Sequence, residues 1–134
     1  MADVVAPPDA EALVVAYLRA QFAASGETAR VATKVPNPRP DRLVRLSLAD
    51  TTRQTLAHFA ARLIIECWDA TEPAASALAR ITYALVHAMD GENVGADWVA
   101  AVVEVGGLVN FPDPDTGAAR YQFTVDVLMR GDIV

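Results

Sequence analysis

Tyr121-Gln122-Phe123-Thr124-Val125-Asp126-Val127-Leu128-Met129 carries a clear two-residue period. Tyr121, Phe123, Val125, Val127 and Met129 fall on one side. Gln122, Thr124 and Asp126 fall on the other, with Arg130 extending the polar row and Leu128 its apolar exception. Successive side chains of an extended strand point to opposite faces, so this spacing predicts a strand with one buried face. Trp98–Val105 also has strand composition. Gly106-Gly107, Pro112, Pro114 and Gly117 lie between the two runs as turn formers, and a long hairpin is expected.

Upstream, Phe59, Ala61, Leu63, Ile65 and Cys67 alternate with His58, Ala60, Arg62, Ile64, Glu66 and Trp68, which predicts another strand with a wholly apolar face. Thr71-Glu72-Pro73 then reads as a helix start, with a capping hydroxyl, an acidic first turn and a proline where its missing amide costs little. Ala74, Leu78, Ile81, Leu85 and Met89 form the expected apolar stripe, widened by Ala75, Thr82 and Val86, and Gly91 stops it. Toward the start, Asp9 caps a helix bearing Ala10, Leu13, Val14, Tyr17, Leu18 and Phe22, which Gly26 ends. Val31, Thr33 and Val35 predict a strand from Thr28. Pro36, Pro38 and Pro40 predict a stiff connection, Leu43–Leu48 a second strand, and Asp50–Thr55 a loop. The order α-β-β-β-α-β-β predicts one α+β domain over residues 1–134, with about five strands in a mostly antiparallel sheet and two helices on one face. Its two edge strands are natural places for another subunit to join.

Of the 134 residues, 53% are hydrophobic and 21% charged, which places the chain among globular proteins and away from disordered ones. Eleven Lys and Arg against seventeen Asp and Glu give a net charge of −6, so a basic footprint for gripping nucleic acid is absent. Residues 1–8 hold no basic region followed by an apolar stretch, and no apolar run approaches a bilayer span, so neither export nor a membrane is expected.

No glycine-rich phosphate loop is present, and Ser25, Ser47 and Ser76 lack the context of an activated nucleophile. His87 and Asp90 could share a metal ion, but a helix-end cap is the better reading. Asp113 and Asp115 fit turn chemistry better than a calcium loop. Cys67 reads as a small buried hydrophobe. No catalytic residue, cofactor or metal is therefore expected. Arg30, Lys34, Arg39, Arg42 and Arg45 are the one basic concentration; a surface or subunit contact is preferred to a phosphate contact, because no aromatic residue is interleaved with them. With Gln122 and Arg130 they are the candidate subunit-interface residues.

Pro8-Asp9-Ala10-Glu11-Ala12-Leu13, Val35-Pro36, Arg42-Leu43-Val44-Arg45, Glu66-Cys67-Trp68, and the closing stretch from Pro112-Asp113-Pro114-Asp115-Thr116-Gly117 through Ala118-Ala119-Arg120-Tyr121-Gln122-Phe123-Thr124-Val125 to Met129-Arg130-Gly131 span nearly the whole chain. Together they resemble the tail terminators of long-tailed (siphovirus) actinobacteriophages. The chain departs from that pattern at Ser47-Leu48-Ala49-Asp50, where the family often has a Gly-Gly turn. The resemblance implies a hexameric ring at the tail–neck junction of a virion, made in the host cytoplasm. Its implied partners are the tail tube protein and the head–tail connector, with DNA passing through the channel without tight binding. A head-completion or neck protein of the same virion, and a non-viral binding module, are the alternatives.

Overall fold

The structure, a computed structural model, describes residues 3–134; Met1 and Ala2, which open the stretch read as free of an export signal, lie outside them. The elements in chain order are β1 (Val5–Ala6), α1 (Ala10–Ser25), β2 (Arg30–Ala32), β3 (Leu43–Arg53), β4 (His58–Trp68), α2 (Glu72–His87), β5 (Glu92–Val94), β6 (Asp97–Asn110), β7 (Arg120–Arg130) and β8 (Asp132–Ile133). Six strands form a mixed sheet in the order β2-β3-β4-β7-β6-β5, and β1 pairs with β8 as a separate ribbon. Only β2 and β3 run parallel in the large sheet.

Both helices begin as their caps dictate. The Asp9 carboxylate accepts the Ala12 N–H at 3.0 Å, and Gly26 closes α1 in the left-handed conformation. The Thr71 hydroxyl accepts the Ala74 N–H, with Pro73 in the first turn of α2. α1 packs on β2 and β3, and α2 on β4, β6 and β7. Between them and the sheet lies one core, where the inward rows of β4 and β7 meet in register: Phe59 opposite Met129, Ala61 opposite Val127, Leu63 opposite Val125 and Ile65 opposite Phe123. Cys67 is fully buried in this row, and burial pushes its thiol up to about 12.

The fold adds three short strands, β1, β5 and β8, to the five expected, which makes the large sheet six-stranded, and it departs from the reading in four further places. β2 stops at Ala32, leaving Thr33 and Val35 in the connection; a parallel return to β3 cannot be made by a tight turn and occupies residues 33–42. β3 runs on through the expected Asp50–Thr55 loop to Arg53, because β4 satisfies its backbone across a bulge at Ala49. Residues 48–56 are all exposed, which is why Asp50–Thr55 among them is polar although most of it is strand. Gly106-Gly107 does not turn the chain: β6 continues to Asn110 with register shifts on both sides of Gly106, so the pair serves bulges and the reversal falls in residues 111–119. Finally, the buried stripe of α2 is Ala75, Leu78, Ala79, Thr82 and Val86, with Ile81 exposed. Thr82 can sit there because its hydroxyl donates to Leu78 O at 2.8 Å.

Candidate functional site

Internal partners hold three of the five residues of the basic concentration, Arg42 beside the helices and Arg39 and Arg45 on the helix-free face of the sheet. Arg42 donates from Nε and Nη2 to the Glu27 carboxylate at 2.8 and 2.7 Å, and from Nη1 to Asp69 at 2.7 Å, tying the end of α1 and the approach to α2 to β3. Its first bond holds the Glu27 carboxyl below the usual carboxylate range. Arg45 reaches Glu66 on the adjacent strand at 3.3 Å, and Arg120 on β7 reaches the other oxygen of the same carboxylate at 3.3 Å. Arg39 and Arg120 both lie over the Trp68 ring, each 5.1 Å from its centroid. Farther along, Arg62 makes a two-pronged pair with Asp126.

Of the candidate interface residues, Arg39, Arg42 and Arg45 are thus held by internal partners, and Gln122 is half-buried on the helix-free face. Arg30, Lys34 and Arg130 are exposed, with no ion pair among the described residues. Arg30 opens β2 and Lys34 lies just past its end, at one edge of the sheet. The expected solvated surface is therefore divided into a structural ion-paired layer and a smaller free basic edge. Glu27, Asp69, Glu66 and Arg120 were not singled out from the sequence, because only strand register and loop return bring them to their partners.

The other candidates resolve into structural roles. Asp113 accepts from the Thr116 N–H and hydroxyl, which holds its carboxyl low, and Gly117 takes a positive φ of 72°, as a turn requires. Asp90 accepts the Val102 N–H at 2.7 Å, while His87 lies against the Tyr83 ring with centroids 4.3 Å apart. Among the described residues no group of three or more His, Cys, Asp and Glu side chains could hold a metal, and no helix is long and apolar enough to cross a membrane.

The outer margins of the sheet are open. β2 covers β3 only from Leu43 to Arg45, and Glu11 accepts the Leu48 N–H, which leaves Asp50–Arg53 without an outer strand. On the other side β5 covers β6 only from Asp97 to Val99, so the rest of β6 to Asn110 is an edge. Val103, Val105, Leu108, Val109 and Phe111 are exposed along it. An exposed, long, apolar edge strand is a template for another chain. The signal in the sequence is apolar residues of both parities, as in Val102-Val103 and Leu108-Val109, which a strand with one solvated face would not carry.

No protein-family model and no curated protein matches the chain. Among solved structures, a chain of the virion of a native gene transfer agent (GTA) particle has the same fold, with a TM-score of 0.66 and 20% identity over 91% of this chain and 95% of that one.

Proposed function

We propose that this chain is a structural virion subunit, a ring-forming tail terminator that acts by self-assembly and not by catalysis. The observation that carries this reading is the pair of open margins on one sheet, Asp50–Arg53 of β3 and the distal part of β6, in a protein whose helix-free face is knit by internal ion pairs. A sheet with two different open margins associates head to tail, and head-to-tail contacts generate rings when the rotation closes. The fold shared with a chain of a gene transfer agent virion supports a place in a particle, and the sequence resemblance supports six copies.

In this reading the ring caps the tail tube, stops its growth and joins the tail to the head connector at the tail–neck junction, after synthesis in the host cytoplasm. DNA passes through without tight binding, in keeping with the net charge of −6. Each subunit contact should bury more than about 1,000 Å². Electron cryomicroscopy of the particle that encodes this chain tests the proposal: one ring of six copies between tube and connector is expected. Density within the neck would assign the head-completion role instead, and a chain touching no other copy would refute self-assembly.

A further inference from the structure

The two short edge strands lie at opposite ends of the sheet. Following the register across it, Arg30 of β2 pairs with Leu43, then Trp68, then Arg120, which places β2 at the Arg120 end of β7. Glu92 of β5 pairs with Val99, then Met129, then Phe59, then Arg53, which places β5 at the Met129 end. Each margin is therefore stepped, one with its projecting strand at one end and the other at the opposite end. Two copies set side by side at the same height leave a seam one strand wide, which β2 of one copy fills at one end and β5 of its neighbour fills at the other.

Charge complements this outline. Arg30, Lys34 and Arg53 are exposed on the β2–β3 margin, three cations beside the two carboxylates of Asp50 and Glu11; no carboxylate pairs with the three among the described residues, and the Arg53 guanidinium donates to Leu56 O at 3.0 Å and lies over the Phe59 ring. Glu92 on β5 is exposed, and Glu72, whose carboxylate accepts the Asn110 amide at 2.9 Å, stands beside the open end of β6. The cationic surplus of one margin thus meets the acidic margin of the next, with Glu92 at the height of Arg53 and in the same row of the sheet. Like margins would set like charges together, so the surface favours head-to-tail over two-fold pairing.

We infer that the β2–β3 margin of one copy docks on the β5–β6 margin of a second copy, interlocking the two short edge strands and pairing Arg53 with Glu92. The inference rests on the ring reading and names its contact.

Arg53 and Glu92 are separated within one chain by four strand spacings, about 19 Å, far beyond the reach of a disulfide. In an Arg53→Cys/Glu92→Cys variant any disulfide between the two positions therefore joins different copies, and buried Cys67 stays out of the reaction. Oxidation should give a ladder of covalent oligomers ending at the ring, while each single variant should give none beyond a trace of dimer. Arg53→Glu and Glu92→Arg should each weaken assembly by about tenfold or more, as about 1.4 kcal/mol per contact implies, and the double swap should restore it. Melting temperatures of the isolated variants check that all fold. A wild type that sediments as a monomer at every concentration, with or without tube protein, overturns the ring reading. A wild type that forms rings, beside a folded double-cysteine variant that does not cross-link, overturns this contact alone.

Discussion

Phe123→Ala tests the face assignment on which the core rests. Phe123 is 1% exposed, sits opposite Ile65 on β4, and meets the Tyr83 ring edge-on at 5.3 Å between centroids. Truncating a buried phenylalanine costs about 3–5 kcal/mol in lost transfer energy and residual cavity. The lost edge-to-face pair adds about 0.5–1.5 kcal/mol, so the upper half of the range, about 4–5 kcal/mol, is expected. That is a large share of the stability of such a domain. In urea, with a slope of about 2 kcal/mol per molar, the unfolding midpoint should fall by about 2 M. Gln122→Ala is the internal control: its side chain is half-buried on the opposite face, and the change should cost about 0.5 kcal/mol or less in the isolated subunit. Equal midpoints for the two variants, or the reverse order, would refute the assignment of faces on β7.

Three further outcomes follow from the geometry. A methyl group on Gly131 would lie 2.6 Å from Phe59 Cε2 and Val5 Cγ1 and 2.7 Å from the Ala6 carbonyl oxygen, so Gly131→Ala should destabilise by about 2 kcal/mol and lower the melting temperature by about 5–10 °C; an unchanged melting temperature would refute the close approach of β1 to the β7–β8 junction. Arg42→Ala strands two nearly buried carboxylates and should cost about 2–3 kcal/mol at neutral pH. Because Glu27 is held below its usual range chiefly by Arg42, its contribution is complete above that range and is lost as the pH falls through it toward the folded value, so the gap between wild type and Arg42→Ala should narrow on acidification; thermal melts from neutral pH to about pH 3 would show a constant gap if the pairing were unimportant. Purified protein should show little affinity for duplex DNA near physiological salt, and tight binding with a steep salt slope would argue against a conduit.

Elements whose residues face one environment were legible in the sequence. β4, β7 and both helices each have one side in a single core, so period and caps located them within a residue or two. Segments answering to two constraints were not. Asp50–Arg53 is polar because it stands clear of the core and extended because β4 pairs with it, and only the partner reveals the second fact. Gly106-Gly107 has the composition of a turn but lies inside a strand whose bulges are set by β7. In α2, both Ile81 and Ala79 fit an apolar stripe by spacing, and the close packing of small residues on the sheet decides in favour of Ala79.

The charge pattern is the clearest case of information held in register and not in composition. Five basic residues between positions 30 and 45 read as one patch, yet Arg42 and Arg45 belong to Glu27, Asp69 and Glu66, and Arg39 lies on Trp68. A surface arginine is freely solvated, whereas one bridging two nearly buried carboxylates cannot leave without stranding them, so these side chains are committed to the fold before any partner arrives. Subtracting them leaves Arg30, Lys34 and Arg53, the last also lying over Phe59, beside Asp50 and Glu11 along one margin of the sheet, and Glu92 and Glu72 near the other. In the proposed contact, the polarity between the margins gives separate copies one preferred way to meet. An interface whose ion pairs lie at its rim gains orientation more than affinity from them, so in the proposed contact the exposed apolar residues of β6, Val105, Leu108 and Val109 above all, are the ones expected to supply the burial that makes it last.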